Sequence, residues 1–466
     1  MKRLFAIAVV VLFSACTPIK RQELNVSVPE RFQNSSGHPT REVSFTEWWK
    51  EFHDEKLNQL IEDTLKYNHD IKAAAERVLQ ARALLGVSRS QRFPSLNLNL
   101  STSRQRQTTM GITTHTNTFN INLMASYEAD LWGRFSSEQK RALASLEALR
   151  QQKRVIIQSV IADVVNLYLH ANTLKEMIKI RYDYIKNAEK NLQIIKQRYA
   201  LGRASYLDVL QAESTLNDAL SQIEPLRRQL KDTLYRLSIL TGKYPEELPI
   251  SGVGPSVYVE TLRPVPEGLP SDLLRRRPDI LATALKAEEA FQALKVARAK
   301  RFPSITLTAT GGYASSELKD LFKPDSLFWQ LSAGILQPLF DAGRLKAQEE
   351  AQRARYREAL ANYAKTVLQA FYEVEKALAD RKSLYKERAE VLELVKNLKK
   401  TYQSALDRYT LGVSDLTTVL NLQRQLFSAR IRLVLTEESI IANRVFLYRA
   451  FGGHWIEEKN LNKEGA

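Results

Sequence analysis

Side chains able to do chemistry are thinly spread along this sequence. Its six histidines (38, 53, 69, 115, 170 and 454) are scattered, and Cys16 is its only thiol. A zinc protease needs two histidines one helical turn apart with a glutamate between them, and a serine hydrolase of the common type needs Gly-x-Ser-x-Gly; neither pattern occurs. Gly242-Lys243 lacks the earlier glycine and the following Ser or Thr with which a P-loop cradles phosphate. These residues point away from enzymatic turnover. Two features remain: the single thiol, and the polar groups beside a glycine turn that occurs twice. The first copy is "RYALGRASYLDVLQAESTL", starting at Arg198, and the second is "RYTLGVSDLTTVLNLQRQL", starting at Arg408.

The thiol sits in an export signal. Lys2 and Arg3 precede the apolar run "LFAIAVVVLF", and the small residues of "SAC" lead directly to Cys16. The run is too short to span a bilayer as a mature helix, so 1–15 reads as a signal peptide. A lone cysteine cannot form an internal disulfide. The segment resembles a bacterial lipoprotein signal, with Phe13 where that pattern usually has Leu. The resemblance implies a covalent lipid on Cys16 as the only non-protein group, and Thr17, which is not aspartate, implies the outer membrane as address. The formal net charge of +16 comes from mixed stretches such as "KRALASLEALRQQKR". Basic and acidic residues are mixed along the whole chain as on solvated helix faces, and an exported chain meets little nucleic acid, so no nucleic-acid partner is expected.

The glycine turns belong to a larger duplication. "SRSQRFPSLNLNLSTS" from Ser88 matches "ARAKRFPSITLTATGG" from Ala297, and "DLWGR" from Asp130 matches "FDAGR" from Phe340. Each unit reads helix, strand, strand, long helix, turn, helix. The units are expected at 47–240 and 271–451. They are joined by a Pro- and Gly-rich segment at 241–270, preceded by an extended stretch at 16–46 and followed by a tail at 452–466.

Strands are expected at about 93–104, 118–130, 302–313 and 327–339. In the first, Leu96, Leu98 and Leu100 alternate with Asn97, Asn99 and Ser101. Such strands could cover a soluble core or face lipid with a wet lumen behind. Their length of about ten residues, the aromatics near their ends and the polar connections "RQRQTTMGITTHTNT" and "YASSELKDLFKPD", read as exposed loops, favour lipid. Four strands are too few for a membrane barrel, and open edges in lipid leave backbone groups unsatisfied, so the chain must oligomerise.

The stretches 134–199 and 344–409 contain neither proline nor glycine. At about 1.5 Å per residue, each helix would reach about 100 Å. The apolar stripe of the first steps in threes, fours and sevens, with a four-four step at Ile156, Val160 and Val164, as in a coiled coil with a stutter. Gly202 and Gly412 then fall where each long helix stops. Ser205 and Ser414 are expected to cap return helices at 205–240 and 414–449, Asp208 standing three residues beyond Ser205 as in a capping box. Pro225 allows a bend in the first return helix.

With "LLRRRPDILATALKAEEAF", "YEADLWGR", "QPLFDAGRLKA", the two "RYxLG" turns and "LYRAFGGHW", the sequence resembles the TolC-like outer-membrane efflux proteins, in the lipoprotein branch that serves tripartite drug pumps. The resemblance implies a mixed α/β membrane protein, mostly α. Three protomers would give four strands each to a twelve-stranded barrel, and long coiled-coil helices would form a periplasmic tunnel. It also implies a passive exit duct that works with a periplasmic adaptor and an RND-type inner-membrane transporter. The aperture residues it implies are Asp208, Tyr409, Thr418, Asn421 and Arg424, with Asp208 and Arg424 as a pair. The turns at Gly202, Ser205, Gly412 and Ser414 form tips for adaptor docking. The acidic residues often found at the places of Thr418 and Asn421 are absent. An adaptor itself would show one helical hairpin flanked by β-domains, whereas this chain has two hairpins and a duplicated strand pair.

Overall fold

The computed structural model describes residues 22, 29–34, 47–262 and 270–453; the signal, Cys16 and His454 lie outside them. The chain forms two compact units. One comprises Met1–Val26, Arg77–Arg150 and Ala282–Lys365, the other Ser27–Glu76, Gln151–Leu281 and Thr366–Ala466. Each unit therefore takes segments from both repeats.

The first unit is built on one antiparallel sheet of β1 (Ser95–Thr109), β2 (Ile112–Glu128), β3 (Ser304–Ser315) and β4 (Leu327–Leu336), in the order β1-β2-β3-β4. Its register sorts the side chains cleanly. Leu100, Ile121, Tyr313 and Leu327 share one rung, and Leu98, Leu123, Gly311 and Trp329 the next on the same face. The other face carries Asn97, Asn99, Asn120, Asn122, Thr308 and Gln330. Alternation of this kind gives one apolar and one wet surface. The apolar one is bare: Leu98, Trp329, Leu331 and Ile335 are all exposed. Gly312 is required by close approach, since a Cβ there would lie 2.1 Å from the Ile121 carbonyl oxygen. At one end of the sheet Trp132 stacks on Phe302 at 4.9 Å and donates its indole N–H to the Pro303 carbonyl at 2.7 Å.

The strands differ from expectation at one place. "RQRQTTMGITTHTNT" is not a loop; it continues β1 and β2 as a two-stranded ribbon closed by Met110-Gly111. Both turn residues have positive φ, 51° and 83°, the type I′ geometry whose twist matches the flanking strands. The ribbon is polar on both faces, so the apolar period of two that marks the rest of the strands vanishes, while threonine still favours extended backbone. The other strands begin or end within three residues of their expected limits.

Helices α1 (Glu55–Tyr67), α2 (His69–Ser90), α3 (Arg134–Ala200), α4 (Tyr206–Ser221) and α5 (Ile223–Leu240) complete the first repeat. The connector holds α6 (Pro255–Thr261) and runs into α7 (Pro270–Arg276). The second repeat has α8 (Pro278–Ala299), α9 (Arg344–Thr410) and α10 (Leu416–Ala450). The first return helix is interrupted at Gln222, and Pro225 falls in the first turn of α5, where its missing N–H costs nothing. The second return helix has no such break.

In the second unit the core gathers Leu57, Ile61, Val164, Tyr168, Leu237 and Ile441. Truncating any one of these to alanine would cost roughly 2–5 kcal/mol. Asp54 ties the connector to this core. It caps α1 through the Lys56 and Leu57 amides and accepts the hydroxyls of Tyr168 at 2.8 Å and Tyr258 at 2.7 Å. Burial opposes its charge, but these donors outweigh burial and hold its carboxyl below the usual range.

Candidate functional site: the paired hairpin tips

The two glycine turns meet in one small core within the second unit. Ile195, Val209 and Ala212 of the first repeat pack with Ala405, Tyr409, Leu416 and Val419 of the second. Both long helices end the same way. Gly202 N–H donates to the Tyr199 carbonyl and Arg203 N–H to that of Arg198; Gly412 and Val413 repeat this with Tyr409 and Arg408. This pairing satisfies orphan carbonyls and needs a left-handed residue, met by φ of 68° at Gly202 and 80° at Gly412.

The caps that follow differ. Ser205 accepts from the Asp208 amide at 3.1 Å while the Asp208 carboxylate accepts the Ser205 amide at 2.8 Å, a complete capping box. In the second tip the expected cap, Ser414, is corrected to Asp415. The cap needs extended backbone three residues after the left-handed glycine, and Asp415 supplies it with φ −86° and ψ 157°. Its carboxylate accepts the Thr418 amide at 2.7 Å and the Thr418 hydroxyl at 2.8 Å. These bonds hold the Asp415 carboxyl below its ordinary range.

Of the aperture residues, Tyr409 is buried and the others stand at the surface or half-buried. Burial pushes the Tyr409 hydroxyl above its usual range, and the Arg198 guanidinium partly offsets the shift. Arg424 donates to the Asn421 side-chain oxygen at 2.8 Å. Asp208 is engaged in its cap and Arg424 with Asn421, so the expected pair does not form within the protomer.

Three residues that hold the tips together carried no expectation. Arg198 donates to the carbonyls of Tyr409 at 3.2 Å and Thr410 at 3.1 Å, and its guanidinium lies 4.8 Å from the Tyr409 ring centre. Asn191, buried, donates to Gln423 at 2.9 Å and to the Tyr402 hydroxyl at 3.3 Å. Asn191 stands beside Ala188, Leu192 and Ile195 in the apolar stripe of α3, and a polar residue in such a stripe is the signal that could have marked it. Above this layer the Arg181 guanidinium covers the Phe427 ring at 4.0 Å and donates to Gln222 at 2.5 Å. Around the tips Leu201, Tyr206, Leu207, Leu411 and Val413 are exposed. Among the described residues no three His, Cys, Asp or Glu side chains converge as a metal site.

The hydroxyls and carboxylates of Ser205, Asp208 and Asp415 are engaged in helix caps, and the arrangement is two helical ends locked side by side. The outer membrane efflux protein family model matches residues 60–243 and again 269–453, one match for each repeat. The chain belongs to the outer membrane efflux protein family. It is 32% identical over 451 residues to the pyoverdine export outer membrane protein OpmQ of Pseudomonas putida, covering 95% of each chain. It is 33% identical over 414 residues to the solvent efflux pump outer membrane protein SrpC of Pseudomonas putida, covering 88% of this chain and 87% of that one. Its fold superposes on the outer-membrane channel OprN with a TM-score of 0.88 at 26% identity, covering 94% of this chain and all of the other. The protein is thus a TolC-like outer-membrane efflux channel with a large periplasmic portion.

Proposed function

We propose that three copies of this chain form the passive exit duct of a tripartite pump. A periplasmic adaptor docks on the exposed tips around Gly202, Ser205, Gly412 and Ser414, an RND-type inner-membrane transporter supplies the energy, and a lipid on Cys16 adds an anchor. One observation carries the reading. The sheet has a continuous apolar face and two open edges, β1 and β4. Edges left open in lipid would strand a ladder of N–H and C=O groups, and pairing β4 of one protomer with β1 of the next removes every edge. The relatives' names, pyoverdine export and solvent efflux, support small organic molecules as cargo.

Asp208 and Arg424 hold the aperture across protomer boundaries, since neither reaches the other within one chain. Single-channel recordings test that contact. Higher conductance in Asp208→Ala or Arg424→Ala trimers is expected, and wild-type conductance in both overturns it. The duct itself is tested by deletion. A strain lacking the chain should become more susceptible to drugs and bile salts, and a plasmid copy should restore resistance; unchanged susceptibility across the panel would contradict the proposal.

A further inference from the structure

The register of the first hairpin places charge where the apolar surface stops. β2 pairs with β3 only from Phe119 to Glu128, while its pairing with β1 continues to Thr109 and Ile112. The ribbon beyond the sheet carries Arg104 opposite Asn117 and Arg106 opposite His115. Because side chains alternate, Leu96, Leu98, Leu100, Thr102, Arg104 and Arg106 all share one face. Both arginines therefore stand on the lipid-facing side. They lie about 7 and 14 Å along the strand beyond Thr102. A strand tilt of about 40° brings this to about 5 and 10 Å along the membrane normal. The nearer arginine thus falls within a headgroup layer roughly 5–8 Å thick on each side of the hydrocarbon, and the farther one just beyond its outer margin.

The end of the membrane is also defined. The chain enters β1 from α2 and leaves β2 toward α3 at the same end of the sheet, so Met110-Gly111 marks the opposite end. With the helices in the periplasm, the ribbon faces the outside of the cell.

The ribbon supplies no counter-charge of its own. No acidic residue occurs from Ser95 to Tyr127, and both arginine side chains are exposed. The connection between β3 and β4, at the same end, is different: Lys319 pairs with Glu317 at 2.7 Å and Lys323 with Asp320 at 2.5 Å. Arginine presents a planar fork suited to phosphate oxygens, and a pair on one face two residues apart can take one phosphorylated headgroup from the side. The geometry points to a binding surface for the phosphate groups of outer-leaflet lipid, formed by Arg104 and Arg106 with His115 beside them. The surface continues the exposed apolar face of the sheet, which favours a lipid over a soluble anion.

The test uses the full-length trimer extracted in detergent. It is titrated with diphosphorylated lipid A, with the same lipid stripped of phosphate, and with inorganic phosphate, and retained lipid is counted by native mass spectrometry. The phosphorylated lipid should be held about thirtyfold more tightly than the stripped one. R104Q/R106Q should abolish the difference, R104K/R106K should keep part of it, and millimolar inorganic phosphate should not compete. Equal retention of the two lipids by the wild-type trimer overturns the proposal without recourse to any variant. Unchanged preference in R104Q/R106Q overturns it too, and effective competition by inorganic phosphate would reassign the surface to small anions. A trimer that fails to insert into liposomes would instead contradict the lipid-facing assignment of the sheet, on which this inference rests.

Discussion

The two hairpin tips have the same backbone and different side chains. Each closes a long helix with a left-handed glycine and the same pair of hydrogen bonds, and each caps a return helix three residues later. Yet one is capped by a neutral hydroxyl with a reciprocal carboxylate, the other by a carboxylate that binds Thr418 twice. The tyrosines differ as well: Tyr409 is buried under Arg198, whereas its counterpart Tyr199 is half exposed. Duplication thus preserved the turn, which backbone geometry dictates, and left the polar surface free to diverge. In the trimeric duct proposed above, unlike tips would alternate around one opening, so that each tip would meet a neighbour able to complement it.

The largest effect should come from what the tips share. A Cβ at Gly202 or Gly412 would touch nothing within 4 Å, so any penalty there is the backbone's alone. Gly202→Val and Gly412→Val should each cost about 2 kcal/mol, because a β-branched residue is a poor occupant of positive φ. Hydrogen exchange at the tip amides should rise about equally in the two variants; a rise in only one would break the equivalence.

The equivalent arginines should separate the tips next. Arg198 bridges to two carbonyls of the second tip, while Arg408 is exposed. Arg198→Ala should loosen the second tip by about 1–2 kcal/mol, near the low end for bonds to a charged donor because the side chain is only half-buried. Arg408→Ala should change stability by less than about 0.5 kcal/mol. Proteolytic nicking after residue 410 reads the difference, and equal nicking in both variants would erase it.

The smallest effect lies in the caps. Ser205→Ala should cost about 1 kcal/mol. Asp415 should make the second tip acid-sensitive. Its carboxyl is held low in the folded chain, so its contribution is complete above the ordinary aspartate range and is lost as pH falls through the folded value. Exchange at the Thr418 amide should therefore increase relative to wild type at neutral pH in Asp415→Ala, and the two proteins should converge at low pH. Persistence of the difference at low pH would show that the carboxylate charge is not what caps this helix.

Much of this was legible in residues. The Pro- and Gly-free runs, the alternation around Leu98 and Ile121 and the Gly202 and Gly412 stops translate directly into elements, because each rests on a local rule of backbone or burial. The ribbon at 103–118 escaped because its two faces are equally polar, and a pattern built on apolar contrast is blind there. The Asp415 cap escaped because serine and aspartate compete at adjacent positions, and only the backbone decides which one is extended. The Arg198 bridge and the Asn191–Gln423 bond join residues more than two hundred positions apart, and no local pattern contains that information. Contacts between protomers are one step further away, since they depend on a second copy.

The central claim is that this chain lives in the outer membrane as a channel that no single protomer can form. Purification from the outer-membrane fraction in mild detergent, followed by gel analysis with and without heating and by planar-bilayer recording, tests it directly. The account predicts a trimer that heat dissociates to monomer and that conducts only when intact. A monomer recovered from the soluble periplasmic fraction without detergent, and silent in bilayers, would contradict it.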